Sequence, residues 1–444
     1  MVAYGRPAAS LPWPWSRAIR HRYPIASTIA AGAICAVVAA CIGLGGTARA
    51  QPPTIPLPSD LAVAPAPADV TPTISRFLGA WAHGAWDGIL PHVLVVEAVD
   101  ASGRAQVVSA LGDAAELGIA RGSRRVTGRI VGDVLMIELG PSSSVVYHIA
   151  GDSLRGTYTS ARGYSTVTLA RASLPEVAAV PATVPGAVPG VTVRIPMTES
   201  GSGGQRLTLE ATLYRPPSDG PHPVLVFNHG STGGGRVALS VTLRPSRQAP
   251  FFVARGFAVL APMRRGRGAS EGVHQEHEGT CDPGILGAGL ARAIEDVDAA
   301  MAYLRVQPWV DAQRMLVGGQ SRGGLLSVAY AAARPNAARA VINFAGGWTS
   351  DRCDAAGTSF NQTTFAAAGA RTRVPMLWLY AEEDGYYGAT WIRRYHEGFA
   401  RAGGVATFRL FHALGGDGHR LVDHADVWRD AADEFLRGLN LALR

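Results

Sequence analysis

The sequence predicts two folded parts, a small all-β domain followed by an α/β domain with a mainly parallel sheet and helices on both its faces. Three observations carry that prediction. Beyond residue 190, short apolar runs alternate with helical stretches, the pattern of strands joined by crossover helices. Between residues 73 and 171, short apolar runs are punctuated by turn residues and show little helical period, which predicts antiparallel strands arranged as a barrel or a sandwich. Separating the two textures is Ala172–Gly190, a stretch rich in proline, alanine and valine, as interdomain linkers are. With 444 residues, 47% hydrophobic and 17% charged, the chain is long enough for two cores and too apolar for wholesale disorder.

Residues 1–50 read as an address. Arg17, Arg20, His21 and Arg22 precede an uncharged apolar run from Ile25 to Leu44, and Ala48-Arg49-Ala50 before Gln51 has the form of a signal cleavage site. A cleaved signal is the favoured expectation. The alternatives are a signal anchor, with residues 25–46 crossing the bilayer, or lipid attachment at Cys41, against which the apolar residues after it argue. Every version exports the protein, to the periplasm or the medium, with the membrane engaged only through this segment. All 41 basic residues are arginine, so a Walker A loop, a lysine Schiff base and a Ser-Lys dyad are excluded. The formal charge is +7, and residues 1–50 hold five arginines and no acid. The rest is close to neutral, which gives no reason to expect a nucleic-acid partner.

Residues 51–72 are a Pro/Ala-rich tether. In the β-domain, 73–171, expected strands are His92–Val99, Arg125–Ile130, Val134–Leu139, Val145–Ile149 and Tyr164–Leu169, with turns at Gly132-Asp133 and Gly151-Asp152. Its opening, Phe77-Leu78-Gly79-Ala80-Trp81, resembles the start of a lipocalin-type barrel; a scaffolding or entry-shaping part is expected of it, and no ligand. After the linker 172–190, the domain 191–444 has expected strands at Val224–Phe227, Phe257–Ala261, Arg314–Val317, Val341–Phe344, Met376–Tyr380 and Thr407–Phe411. Helices are expected at Gly289–Leu304, Gly323–Arg334, Ala389–Ala402 and His424–Leu436.

Gly319-Gln320-Ser321-Arg322-Gly323 lies between the strand at 314–317 and the helix that follows. G-x-S-x-G in that setting resembles the nucleophile elbow of the α/β-hydrolases, which implies their fold and the chain order Ser, acid, His. The glycines are needed because side chains there collide with neighbouring elements. Asp384, in Ala381-Glu382-Glu383-Asp384-Gly385 just past the strand at 376–380, is the expected acid, with Glu382 and Glu383 as rivals. His419, in Gly415-Gly416-Asp417-Gly418-His419 after the last strand, is the expected base; His412 and His424 are placed at a strand end and a helix start. A serine hydroxyl needs that base, and the base an orienting acid. For the oxyanion hole the resemblance implies two backbone N–H groups, one from Arg322 and one from Ser231 or Gly230 in Asn228-His229-Gly230-Ser231, with His229 tying down the loop.

The segment Ala261-Pro262-Met263-Arg264-Arg265-Gly266-Arg267-Gly268-Ala269-Ser270-Glu271-Gly272 resembles the R-R-G-x-G-x-S-x-G stretch of dienelactone-hydrolase-like and prolyl-oligopeptidase-like enzymes. Dienelactone hydrolases use a Cys nucleophile, so lactone specificity is not implied here. The arginines are expected to brace the loop against acids such as Asp296 or Asp298, the alternative being a substrate carboxylate. His274-Gln275-Glu276-His277-Glu278 sits in a Gly-flanked loop rather than on one helix face, so no metal site is expected. With Thr349–Arg371 it is read as a cap, in which Trp348, Phe360 and Phe365 line an acyl pocket or form the cap's own small core. Cys281 and Cys353, which remain if the signal leaves with Cys35 and Cys41, form one disulfide or stay two independent thiols.

These observations lead to an exported serine esterase with a small-molecule ester substrate and no metal or organic cofactor. A prolyl-oligopeptidase-type peptidase is the second reading, opposed by an N-terminal domain too small for a propeller. A hydrolase-fold binding protein without turnover is the third.

Overall fold

A computed structural model of the chain describes residues 52–441, apart from residues 115–116, 161–162, 185–187, 201–203, 232–238, 351, 354–358 and 413–416. The signal and anchor readings of residues 1–50 fall outside the described residues. Among the described residues, no helix is long and apolar enough to cross a membrane. The chain divides into two compact units.

Eight strands, β1 (Gly79–Trp86), β2 (Leu90–Val99), β3 (Arg104–Leu111), β4 (Gly122–Val131), β5 (Val134–Gly140), β6 (Ser143–Ala150), β7 (Ser153–Ser160) and β8 (Gly163–Ala172), close into a barrel in sequence order. The sandwich alternative is thereby set aside. Closure comes from β1 pairing antiparallel with β8, Ala80 opposite Ala172. Buried and exposed residues alternate along β5 and β7, as a barrel wall with one wet face requires. Trp81 is buried and donates from Nε1 to the Phe77 carbonyl at 3.1 Å. The Arg171 guanidinium lies 4.1 Å from its ring centroid and donates to the Leu78 and Arg76 carbonyls, so this arginine ties β8 to the segment leading into β1. Inside, His92 Nδ1 bonds the Ala110 carbonyl at 2.9 Å, which leaves Nε2 to accept from the Tyr147 hydroxyl at 2.9 Å. Burial lowers the His92 imidazole to about 4.

The second sheet has eight strands, β9 (Val191–Thr198), β10 (Arg206–Tyr214), β11 (His222–Asn228), β12 (Ala258–Pro262), β13 (Val310–Gln320), β14 (Ala340–Phe344), β15 (Met376–Ala381) and β16 (Ala406–Phe411), ordered β16-β15-β14-β13-β11-β12-β10-β9. It is mixed rather than simply parallel. The strands from β11 to β16 run parallel, while β9 and β10 add an antiparallel pair at one edge. In Val191–Thr198 only Ile195 and Met197 are buried, so this edge lacks the continuous apolar run of the central strands. The longer helices are α1 (Pro283–Arg305), α2 (Arg322–Ala333), α3 (Phe360–Arg371), α4 (Ala389–Arg401) and α5 (Ala425–Gly438).

Alternate strand residues feed two separate cores. Val224, Val226, Trp378 and Tyr380 pack with Val297 of α1, Leu325 of α2, Phe365 of α3 and Ile392 of α4. Leu225, Leu377 and Leu379 pack with Phe252, Trp428 and Leu436, the last two from α5. Successive strand residues face opposite ways, so the sheet is covered on both sides. Trp348, Phe360 and Phe365 belong to the first of these cores, with Phe365 4.6 Å from the Trp378 ring. They do not form a separate small core of a cap.

Candidate active site

Strand β13 ends at Gln320 and α2 begins at Arg322, with Ser321 between them at φ +56°, ψ −122°. That conformation costs a non-glycine residue about 1–3 kcal/mol, and its surroundings impose it. The Ser321 N–H donates to the Phe344 carbonyl at 3.0 Å, and the Ser321 carbonyl accepts from Gly324, Leu325 and Gly347. The flanking glycines have no alternative. A Cβ on Gly319 would fall 2.2 Å from the Asn228 carbonyl oxygen, and one on Gly323 would fall 1.9 Å from it. Ser321 thus sits at the positive N-terminal end of a 12-residue helix.

Asp384 follows β15 and is buried with its side chain wholly out of solvent. Its Oδ1 accepts the backbone N–H groups of Tyr386 at 2.8 Å and Tyr387 at 2.9 Å. His419 lies in a 3₁₀ turn, Gly418–Asp423, capped by Asp417. Its Nδ1 stands 2.9 Å from Asp384 Oδ2 and 3.1 Å from Oδ1. A carboxylate there sets Nδ1 as the donor and leaves Nε2 to accept a proton. The His419 carbonyl accepts from the side chain of Gln320, the residue before Ser321, at 3.3 Å. The rival carboxylates do not meet His419: Glu382 bonds Arg393 at 3.2 Å and His412 at 3.0 Å, and Glu383 is exposed.

Gly230 is packed against the elbow, since a Cβ on it would lie 3.3 Å from Ser321 Cβ and 2.3 Å from Gln320 Oε1. The preceding His229 is buried and held at both nitrogens. Arg264 N–H donates to Nε2 at 3.2 Å, so Nδ1 donates to the Gly230 carbonyl at 2.6 Å. Burial first, then the charges of Arg264 and Arg267, push this imidazole well below its usual range. It is a neutral brace rather than a base. Ser231 donates through Oγ to Glu278 at 3.1 Å, and the loop from 232 to 238 lies outside the described residues.

An arginine–carboxylate web backs the elbow. Glu276 takes both Arg264 and Arg267, and Glu278 takes Arg267. Arg322 donates to the Glu276 carbonyl at 2.9 Å and lies 4.9 Å from the Trp348 ring centroid. Burial would raise the Glu276 carboxyl, yet Arg264 and Arg267 outweigh it and hold it well below the usual carboxylate range. Arg265 is bound by Asp296, Glu199 and Glu295. Asp298 does not join them; it pairs with Arg334 at 2.7 Å. His274, Glu276 and Glu278 bring their donor atoms within 4.8 Å of one another, but both carboxylates are already neutralised by guanidinium groups, the reverse of what a cation site offers. Cys281 and Cys353 are joined by a disulfide with Cα atoms 5.3 Å apart.

Residues 203–372, which include the elbow, match the family described as X-Pro dipeptidyl-peptidase (S15 family). That family is one of serine hydrolases within the α/β-hydrolase superfamily. Over 133 residues the chain is 34% identical to quorum-quenching protein AidA of Acinetobacter baumannii (strain MDR-ZJ06), a match spanning 30% of this chain and 38% of that protein. Similar solved structures include acetyl xylan esterase 1 from Thermoanaerobacterium sp. JW/SL YS485, 20% identical with a TM-score of 0.39 over 57% of this chain and 89% of that one. Another is esterase Pf2001 of Pyrococcus furiosus, 17% identical with a TM-score of 0.41 over 56% and 90%.

Three residues around the candidate site are not singled out by the sequence. Asp417 Oδ1 accepts the N–H of Gly385 at 2.9 Å and of His419 at 3.0 Å, stitching the acid's loop to the histidine's. Asn361, fully buried, accepts from Trp348 N–H at 2.7 Å and donates to the Thr349 carbonyl at 2.8 Å, fixing the loop after β14. Tyr386 sets its ring 4.4 Å from the His419 ring. Only Asp417 had a visible signal, an acid two positions before the histidine.

Proposed function

We propose that the protein is an exported serine hydrolase that cleaves carboxylic esters through an acyl-serine intermediate, with Ser321, His419 and Asp384 as its triad. The observation that carries this reading is the His419–Asp384 pair at 2.9 Å, its turn bonded to the residue before a strained, helix-capping serine. In this mechanism His419 Nε2 takes the Ser321 proton as Oγ attacks the ester carbonyl, and Asp384 stabilises the imidazolium. The oxyanion rests against the Arg322 N–H at the helix start and an N–H of Gly230 or Ser231. Collapse gives the proton to the leaving alcohol, and water activated by His419 then frees the acid. The Arg17–Ala50 pattern supports export, as does the Cys281–Cys353 disulfide, a bond that persists in oxidising compartments.

The match to X-Pro dipeptidyl-peptidases favours a second reading, a peptidase using the same triad. An enzyme that counts residues from a free N-terminus needs a carboxylate to receive its ammonium. Glu276 and Glu278, on the loop that backs the elbow, are committed to Arg264 and Arg267, which weighs against that reading.

Hydrolysis of p-nitrophenyl esters from C2 to C16, beside an X-Pro-p-nitroanilide, tests both. The esterase reading expects ester turnover that falls at least about 10⁴-fold in Ser321→Ala, with the anilide untouched. Cleavage of the anilide alone would establish the peptidase, and equal background in both proteins would refute both.

A further inference from the structure

Two tyrosines follow Asp384, and both set their rings against His419, Tyr386 at 4.4 Å and Tyr387 at 5.4 Å between centroids. Tyr387 is buried, its ring 6.1 Å from Tyr395. Tyr386 is 52% exposed, yet its ring centroid lies 4.4 Å from the His419 imidazole at a 42° tilt. The N–H groups of both tyrosines are held by Asp384 Oδ1, at 2.8 and 2.9 Å. The carboxylate that orients the imidazole therefore also fixes the backbone from which the Tyr386 ring projects. A single exposed aromatic residue is commonplace on a protein surface. What distinguishes Tyr386 is that it is pinned beside the one group that must meet the substrate's departing oxygen.

In acyl transfer at Ser321 the acyl group stays on the serine, and His419 Nε2 delivers its proton to the leaving oxygen as the C–O bond breaks. The alcohol portion of an ester must therefore lie against the imidazole's surroundings. We propose that Tyr386 forms a leaving-group subsite, its exposed ring stacking on the alcohol portion, and that the substrates are esters whose alcohol carries a flat aromatic ring. This rests on the esterase reading above. The step balances without a co-reactant: the carbonyl–oxygen bond breaks, the proton taken from Ser321 goes to the leaving oxygen, and the aromatic alcohol departs.

The test compares benzyl acetate with cyclohexylmethyl acetate, whose leaving oxygens are alike but whose rings are flat and puckered. Stacking of two aromatic rings corresponds to about 3- to 10-fold, and that preference for the benzyl ester in kcat/KM is expected of the wild type. Tyr386→Ala should bring the ratio of the two rates to about one, mainly through KM, while Tyr386→Phe should keep it. A half-exposed residue makes both variants expected to fold. A ratio unchanged in Tyr386→Ala, or no benzyl preference in the wild type, overturns the subsite while leaving the esterase reading intact. If Ser321→Ala removes no turnover of either ester, the esterase reading fails, and the subsite falls with it.

Discussion

The disulfide offers a prediction whose size follows from the chain itself. Cys281 and Cys353 are 72 residues apart in sequence, and closing a loop of that length in the unfolded chain removes entropy equivalent to about 4 kcal/mol at 25 °C. The native positions on either side are also held by other bonds. Asp282, next to Cys281, caps α1 by accepting the Ile285 N–H at 2.9 Å, and Arg352 reaches across to the Gly279 carbonyl at 3.3 Å. Replacing both cysteines by serine should therefore leave the folded geometry in place and act on the unfolded chain. For a folded unit of roughly 250 residues, unfolding entropy of about 0.5 kcal/mol per kelvin converts the loss into a Tm lower by about 8 °C. Differential scanning calorimetry of the wild type, the wild type under reductant and the Cys281→Ser/Cys353→Ser variant measures it, with peptide mapping to locate the bond. The reductant and the double variant should give the same shift. Free thiols at both positions in the oxidised protein, or a Tm within about 2 °C of the wild type, would show that the bond does not stabilise the fold in this way.

Three further outcomes follow. His92 has a folded-state value of about 4 against about 6.5 unfolded, so its contribution is present above pH 6.5 and is lost as pH falls toward 4. The difference is about 3 kcal/mol, so the barrel's unfolding midpoint should drop across that window, and His92→Gln should flatten the drop. Gly323→Ala forces a methyl to 1.9 Å from a backbone oxygen; it should cost at least about 3 kcal/mol by chemical denaturation, and a variant as stable as the wild type would mean the elbow is looser than described. Asp417→Ala removes the acceptor shared by Gly385 and His419 and should lower kcat about 10- to 100-fold with little change in KM. Asp417→Asn, which keeps an acceptor oxygen, should recover most of that rate, and equal losses in both variants would refute the positioning argument.

The parallel core was legible because its strands are buried on both faces. Val224–Phe227 and Met376–Tyr380 read as unbroken apolar runs, and the structure extends each by only a few residues, to His222–Asn228 and Met376–Ala381. Elements with one wet face were harder to see. β9 and β10 mix arginine and threonine with their apolar residues, as β7 does in the barrel, and β3 interrupts its apolar run with arginine, glutamine and serine. Helix α3 was hidden by its buried asparagine, which occupies a core position where a periodicity argument looks for an apolar side chain. The choice between Asp296 and Asp298 was not available from spacing to Arg265. Two positions on a helix differ by about 200°, so Asp296 faces Arg265 while Asp298 faces Arg334. Asp384 and His419 were legible because element order alone brings a residue after β15 beside one after β16, and these are adjacent parallel strands. The oxyanion loop could not be read as well, because what holds Gly230 and Ser231 in place comes from Arg264 and Glu278, 35 and 47 residues along the chain from their partners.

The proposed chemistry requires Ser321 to be a nucleophile activated by His419. Reaction with an aryl alkylphosphonate ester, followed by intact-mass measurement and peptide mapping, tests it directly. One phosphonyl group per chain is expected on Ser321, formed rapidly in the wild type and absent in Ser321→Ala. In His419→Ala labelling should slow by at least about 10³-fold. Labelling at another residue, or unchanged labelling without His419, would contradict it.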